Sequence, residues 1–185
     1  MGKGIVAGVF VILLVGGLAG YYAYTNYLPG KVVLSITDPP AGSSPSNSQY
    51  SSNVTHIYLT FSRVDIHVVG TDSSSSTSWR SIVGAQTIDL MTVLNISQAL
   101  GNAKLSTGKY VLIRMFANTT TVTIGGTNYS YNIPNGRIQI IITGGGFQIT
   151  VGQTVNVLLT ISFNDSQIQA HGPNLTPVAK AEVVP

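Results

Sequence analysis

The chain contains no cysteine, and little of it is charged. The missing thiols exclude disulfides, thiolate zinc sites, iron–sulfur clusters and cysteine nucleophiles. Only 8% of the 185 residues are charged, against about 25% in an average soluble domain. The nine basic and six acidic residues leave a net charge of +3, and the bases form no run of the kind that neutralises nucleic-acid phosphates. We therefore expect no nucleic-acid partner.

The sequence has few side chains with which to build an active site. Its three histidines and six acidic residues form no known motif. Asp65 and His67 alternate on one predicted strand and would supply half of a metal site, but we favour an exposed polar ladder beside Arg63. Asp38 and Asp89 stand at strand ends, where turns and helix caps use aspartate. We predict no enzymatic activity, no catalytic residue, no metal and no cofactor.

A long apolar run opens the chain. Residues 5–24 carry no charge and, at a helical rise of 1.5 Å per residue, would cover about 30 Å, the hydrocarbon thickness of a bilayer. Lys3 precedes the run and favours a cytoplasmic N-terminus. We predict a single-pass membrane helix within residues 1–28 and an extracytoplasmic domain over residues 29–185. The aromatic belt at the membrane interface is expected to consist of Tyr21, Tyr22, Tyr24 and Tyr27.

Processing of this segment stays open from sequence. Gly17-Leu18-Ala19 supplies small residues of the kind that signal peptidases cut after, and Lys3-Gly4 is loosely similar to an archaeal prepilin cleavage site. We favour a retained helix that binds the bilayer through residues 5–24. Gly16 and Gly20 have the GxxxG spacing that seats a neighbouring helix, although glycine is also frequent in ordinary membrane spans.

Beyond Lys31 the sequence alternates apolar and polar residues in short segments separated by glycine and proline turns. Residues 54–69 change phase midway, and a bulge at Ser62-Arg63 would reconcile the two halves and turn Arg63, Asp65 and His67 outward. Residues 91–100 have helical spacing and stop at Gly101, a typical residue after a helix. The predicted strands are 31–37, 54–69, 79–83, 85–89, 110–117, 119–124, 127–132, 137–142, 155–164 and 177–184. This pattern predicts a mainly β, antiparallel two-sheet sandwich with one short helix.

Glycosylation sequons are frequent in the chain, with six occurrences of Asn-X-Ser/Thr. They begin at Asn53, Asn95, Asn118, Asn128, Asn164 and Asn174. The sequons indicate a protein exposed at the cell surface. A chain with few carboxylates also changes little in charge as the pH falls, which suits an acidic medium. We therefore expect a glycosylated surface protein of a thermoacidophilic archaeon.

Several short phrases stand in a characteristic order along the chain. They are Ile36-Thr37-Asp38-Pro39-Pro40, Arg63-Val64-Asp65-Ile66-His67, Ile88-Asp89-Leu90, Leu105-Ser106-Thr107-Gly108-Lys109-Tyr110, Ile133-Pro134-Asn135-Gly136 and Leu175-Thr176-Pro177-Val178. Together they resemble the uncharacterised family known as domain of unknown function 4382. The resemblance covers most of residues 31–185 and implies an exported or membrane-anchored prokaryotic protein with an immunoglobulin-like or prealbumin-like sandwich. It implies no catalytic residue.

Three functions compete on these grounds. The first is a structural or interaction subunit of a cell-surface assembly such as a filament, pilus or envelope layer, with other surface subunits as partners and self-assembly as one form of it. The second is an accessory single-pass subunit of a membrane complex, for example a respiratory one. The third is a carbohydrate-binding module, for which Trp79 would be a stacking platform, although a half-buried edge aromatic is the more frequent role of such a residue. We favour the first and expect strand 31–37 to pair within its own chain.

Overall fold

The computed structural model describes residues 15–23, 28–38, 49–70, 78–94 and 96–185. Residues 15–23 are helical and exposed, in agreement with part of the helix predicted over 5–24, and they include Tyr21 and Tyr22. The rest of that predicted helix, with Tyr24 and Tyr27, lies outside the described residues. Within the described ranges, no helix is long and apolar enough to cross a membrane.

The described part of the domain is mainly β, as predicted, with thirteen strands. A short α-helix spans Asp165–Gln169, and 3-10 turns span Leu90–Val93, Pro134–Gly136 and Thr143–Gly145. The strands are β1 (Gly30–Thr37), β2 (Val54–Phe61), β3 (Arg63–Val68), β4 (Trp79–Val83), β5 (Gln86–Asp89), β6 (Gln98–Leu105), β7 (Gly108–Phe116), β8 (Thr119–Ile124), β9 (Thr127–Asn132), β10 (Ile138–Ile141), β11 (Phe147–Ile149), β12 (Thr154–Phe163) and β13 (Pro177–Val184).

The first sheet has the strand order β13-β12-β1-β6. Strand β1 pairs in parallel with β12, from Lys31 opposite Thr154 to Thr37 opposite Thr160. On its other side β1 pairs antiparallel with β6. The expectation that residues 31–37 pair within their own chain is therefore confirmed. The sheets are antiparallel as predicted except for the β1–β12 pair of named strands. Because both edges of β1 are occupied, it offers no free edge for strand addition.

Two further sheets are joined end to end, because each strand of one leads through a short connection into a strand of the other. The second sheet has the order β10-β7-β3-β4, with β11 also paired to β7, and the third sheet has the order β5-β2-β8-β9. Each strand of the third sheet is joined by a short connection to the strand at the matching place in the second, namely β2 to β3, β4 to β5, β7 to β8 and β9 to β10. The two sheets therefore behave as one long layer that is bent where the chain changes sheet.

The predicted bulge at Ser62-Arg63 is one of these changes of sheet. Strand β2 ends at Phe61 and β3 begins at Arg63, so that only Ser62 separates them. The backbone N–H of Ser62 donates to the carbonyl of Phe116 at 2.8 Å, which holds the connection against β7. A bend at this point explains the phase change, because it lets both halves of the segment direct apolar side chains into one core.

The bent layer faces the first sheet and meets it along both edges. Strand β4 lies against β6, and β10 lies against β13, where Ile142 forms a parallel bridge with Ala181. Fully buried residues from all three sheets belong to one apolar cluster, for example Leu34, Leu59 and Ile113. Three hydrogen-bonded sheets thus replace the two that we predicted, although they form two facing layers.

The helix predicted over residues 91–100 was wrong. Only the 3-10 turn Leu90–Val93 lies there, and residues 98–105 form β6. Leu100 is buried, and Gly101 lies opposite Leu34 at a point where the pairing with β1 shifts register. The spacing of apolar residues suited a helix, but the ladder that β6 forms with β1 requires extended backbone. The helix Asp165–Gln169 and strand β11 were not predicted.

The domain has two distinguishable ends. Strand β1 starts at Gly30, where the N–H of Lys31 donates to the carbonyl of Gln153 at 2.7 Å; we call this the anchor end because the N-terminal segment leads into it. The eight residues of β1 extend about 26 Å at 3.3 Å per residue. We call the place where β1 stops, next to Asp38 and the end of β12, the far end.

Candidate functional site

The outward side of the second sheet concentrates cationic and aromatic side chains. Register places Arg63 opposite Phe116 and Asp65 opposite Arg114. It also places His67 opposite Trp79. Directly opposed residues of an antiparallel pair share one side of a sheet, while the alternating residues of the same strands, such as Val64 and Ile66, are buried in the core. We call the outward set the arginine face; its members are Arg63, Asp65, His67, Trp79, Arg114, Phe116 and Arg137.

Guanidinium groups and rings alternate along this face. The Cζ atom of Arg63 lies 4.1 Å from the ring centroid of Phe116. Cζ of Arg114 lies 3.6 Å from the centroid of Trp79 and 5.4 Å from that of Phe116. The ring centroids of Trp79 and His67 are 5.0 Å apart. Such cation–π contacts stabilise the guanidinium groups and also orient them.

The face carries more positive than negative charge. Nε of Arg63 donates to Oδ2 of Asp65 at 3.1 Å, and Asp65 is the only carboxylate in the set. Burial lowers the pKa of Arg114, the charges of Arg137 and Arg63 lower it further, and the charge of Asp65 acts in the opposite direction. The face therefore holds three arginines and one carboxylate, and repulsion among the arginines adds to the effect of burial on Arg114.

Asp65 and His67 do not form the exposed ladder that we predicted beside Arg63. They share its side of the sheet, but their exposed fractions are only 6% and 7%. Trp79 and Arg114 lie over their strand and exclude solvent from it. Oδ1 of Asp65 and Nε2 of His67 have no hydrogen-bond partner among the described residues.

Trp79 itself is half-buried on β4, the edge strand of the second sheet. This confirms its interpretation as an edge aromatic. Arg114 occupies one face of the ring at 3.6 Å, which is the position that a stacked sugar would need. That face of the ring is therefore closed to a sugar.

His56 lies away from this face, on β2 in the third sheet. Its Nδ1 is 2.7 Å from Oδ2 of Asp89, and its ring stacks on Tyr58 with centroids 5.3 Å apart. Oδ1 of Asp89 accepts from the N–H of Met91 at 3.1 Å and so caps the turn Leu90–Val93, as its predicted capping role requires. Across the described ranges, no three metal-ligating side chains come together.

A second polar cluster is buried at the far end. The hydroxyl of Tyr50 donates to Oδ2 of Asp38 at 2.6 Å and accepts from the backbone N–H of Phe163 at 3.2 Å. Asp38 is fully buried, and Oδ1 of its carboxylate has no hydrogen-bond partner within the described ranges. Burial raises the pKa of Asp38 to about 7, although hydrogen bonds from Tyr50 and Gln49 oppose the change. Asp38 is thus structural, as predicted, but instead of closing a local turn it is linked to β12 through the hydroxyl of Tyr50.

Five of the six sequon asparagines are exposed, and Asn95 lies outside the described residues. Asn164 caps the helix Asp165–Gln169 by accepting from the N–H of Ser166 at 2.8 Å. Asp165, next to it, accepts from the N–H of Ser51 at 3.0 Å, which brings Asn53 to the same far end. The exposed group comprises Asn53, Asn118, Asn128, Asn164 and Asn174.

Sequence reasoning missed the arginine face, because its three arginines are 51 (63 to 114) and 23 (114 to 137) positions apart. Only strand pairing brings them together. Arg63, Arg114 and Arg137 each alternate with buried apolar residues of their own segment. This alternation was the one signal in the sequence that would have indicated a shared outward side.

Comparison with known proteins places the chain in one family. Residues 29–177 match the family described as Domain of unknown function (DUF4382). No curated protein and no solved structure gives a match. The matched range covers nearly all the strands described above, from β1 to the first residue of β13. The resemblance seen in the sequence is therefore confirmed, and the chain belongs to the family of domain of unknown function 4382.

Proposed function

We propose that the chain is a membrane-anchored, N-glycosylated cell-surface protein that acts without catalysis, as a structural or interaction subunit of a surface assembly such as a filament, pilus or envelope layer. Residues 5–24 are the single membrane span, with the N-terminus in the cytoplasm and the β-domain outside. The two facing layers support a sandwich of the immunoglobulin-like or prealbumin-like kind.

The polarity of the domain is the observation that carries this proposal. The apolar segment leads into β1 at the anchor end, whereas Asn53 and Asn164 are exposed at the far end. About 26 Å of β1 separates the two ends. Glycans attached there would project away from the bilayer, where they obstruct neither the anchor nor the packing of the sheets.

The position of β1 suits the transmission of force from an anchor. Its ladders to β12 and β6 run along almost its whole length. A pull on the N-terminal segment would load two ladders in shear at the centre of a four-stranded sheet. A tethered subunit of a surface assembly needs this kind of attachment.

An accessory subunit of a membrane complex is the second candidate, and the described part of the N-terminal helix favours it. A Cβ atom added at Gly16 or Gly20 would meet nothing within 4 Å, and Val15 and Leu18 are more than 60% exposed. Small residues at this spacing let another helix approach closely.

Both forms of the proposal are tested on protein from its native host. Carbonate-resistant sedimentation with membranes and an intact mass above the 19.5 kDa of the polypeptide are expected. The substitutions Asn53→Gln and Asn164→Gln should each remove one glycan mass, while Asn102→Gln, an exposed asparagine outside any sequon, should remove none. A bare polypeptide mass or release by carbonate would refute glycosylation or anchoring, and co-purifying proteins distinguish a surface assembly from a membrane complex.

A further inference from the structure

We propose that the arginine face is a binding site for an acidic polysaccharide of the cell envelope, whose carboxylate or sulfate groups pair with Arg63, Arg114 and Arg137. The proposal names a partner for the surface assembly and rests on the proposed function in placing the domain outside the cell. It follows from the distribution of charge over one solvent-facing sheet surface.

The arginine face holds three of the four arginines of the chain. The protein has nine basic residues in total, and three of its arginines lie on or beside three adjacent strands, β3, β7 and β10. One carboxylate, Asp65, faces them, and it accepts from Arg63 alone among the hydrogen bonds of this set. Burial is the main cause of the lowered pKa of Arg114, and the charges of Arg137 and Arg63 add to it; an anion placed between the three groups would offset that repulsion.

The guanidinium groups are also held in place before any ligand arrives. Arg63 is fixed between Asp65 and the ring of Phe116, and Arg114 between the rings of Trp79 and Phe116. Side chains held in this way lose less conformational entropy on binding. Guanidinium is planar and donates two parallel hydrogen bonds to a carboxylate or sulfate, which lysine does not.

The shape of the surface favours an extended polymer. Neighbouring strands of a sheet are about 4.8 Å apart. Arg63 lies opposite Phe116, whereas Arg114 lies opposite Asp65 and Gln139, so the arginines occupy two adjacent rows of outward residues. Gln139 on β10 and Ser81 on β4 are exposed in the row of Arg114 and supply neutral groups for sugar hydroxyls. A linear acidic glycan offers repeated anions and hydroxyls along one line.

The orientation of the face favours a partner beside the domain. Strand β7 begins at Gly108, close after Leu105, which pairs with Gly30 at the anchor end, and runs toward the sequons of the far end. The arginine face therefore flanks the axis between the two ends, and its Arg63–Phe116 row lies further from the anchor than the His67–Trp79 row. This geometry suits an envelope polymer better than the headgroups of the protein's own bilayer.

The test uses the full-length protein in neutral-lipid nanodiscs, with polygalacturonate as the acidic probe, dextran as the neutral one and phosphatidylglycerol vesicles as the lipid surface. Wild-type protein should bind polygalacturonate with an affinity that falls with added salt, and should bind dextran at least tenfold more weakly. Arg63→Gln/Arg114→Gln/Arg137→Gln should lose at least tenfold in affinity, as expected for several charge-assisted hydrogen bonds.

The matched control removes the same charge from the first sheet. Lys31, Lys104 and Lys180 are exposed there, and Lys31→Gln/Lys104→Gln/Lys180→Gln should change the affinity less than twofold. Since Arg114 is partly buried, Arg137→Gln, at an exposed position, serves as the variant that leaves the packing intact, and it should lose roughly threefold. Replacing all three arginines by lysine should give an intermediate affinity.

Three outcomes would overturn the proposal. They are the absence of binding to polygalacturonate, equal losses of affinity in the triple Arg→Gln variant and the triple Lys→Gln control, and tighter binding to phosphatidylglycerol vesicles than to polygalacturonate. None of them bears on membrane attachment or glycosylation, which fractionation and intact mass measure separately.

Discussion

Replacement of Asp38 by asparagine should remove one pH-dependent contribution to stability. The Asp38 carboxyl is fully buried against the Tyr50 hydroxyl, 2.6 Å away. Asparagine has nearly the same shape and stays neutral at every pH. Its amide oxygen still accepts the hydrogen bond from Tyr50, so the substitution changes the charge of the site and little else.

The size of the effect follows from the pKa difference between the folded and unfolded chains. The pKa of Asp38 is about 7 in the folded protein, against an ordinary value of 3.8 for a solvated aspartate, so the folded state binds the proton more tightly. Its contribution to stability is therefore fully present below about pH 4 and is lost progressively as the pH rises to about 7. With 1.36 kcal/mol per pKa unit, the whole change is about 4 kcal/mol.

Urea unfolding of the full-length chain between about pH 4 and pH 8, followed by the fluorescence of Trp79, measures this difference. The free energy of unfolding of Asp38→Asn should equal that of the wild type near pH 4 and exceed it by up to about 4 kcal/mol at pH 8. The reasoning would be refuted if the free energy of unfolding depended on pH equally in the two proteins, or if the wild type became more stable relative to the variant as the pH rises. A buried carboxyl that contributes most to stability at low pH also suits the acidic surroundings that the low charge of the sequence led us to expect.

Asp165→Asn is a control in which the effect on stability should depend on pH in the opposite direction. Although burial raises the pKa of Asp165, its hydrogen bonds from Ser51 and Gln169 outweigh burial and lower the pKa below the usual range. Its contribution to stability is therefore present at neutral pH and lost as the pH falls. Asp165→Asn should destabilise the protein at pH 7 and have less effect near the acid end of the same titration.

Two further substitutions test packing at single positions. Tyr50→Phe should lower the free energy of unfolding by about 1–3 kcal/mol, because the Asp38 carboxyl loses its buried donor; an unchanged urea midpoint would contradict the burial of this pair. Gly146→Ala should cost roughly 2 kcal/mol or more, since a Cβ there would overlap the carbonyl of Tyr110 at a φ of +88°. Gly144→Ala, where φ is +71° and nothing lies within 4 Å, should cost about 1 kcal/mol, and equal melting temperatures for the two variants would argue against the close approach.

Local alternation was sufficient to predict most strands. Strands β4, β8, β9 and β13 have the predicted bounds, and β1 begins one residue earlier than predicted. In β1 and β8 buried residues alternate with less buried ones along the strand. The period of two is a property of the extended backbone itself, so it is readable without knowledge of the partner strand.

Prediction failed where the partner strand decided the conformation. Leu100 and its neighbours fit a helical spacing as well as a strand, and only the ladder between β6 and β1 selects the strand. The change of sheet at Ser62 is similar, because the phase shift was visible but its result depends on how β3 and β2 each pair with other strands. Pairing energy comes from residues far along the chain, which a local pattern does not contain.

The sequence by itself determined the apolar N-terminal segment, the β-rich domain, the sequons and the family, all of which depend on composition or on neighbouring residues. Only the tertiary structure decided that Asp38 meets Tyr50 and that Arg63, Arg114 and Arg137 share one face. These contacts join residues 12 to 74 positions apart. They form because burying the common core brings their strands together, and the sequence specifies that core through many apolar side chains at once.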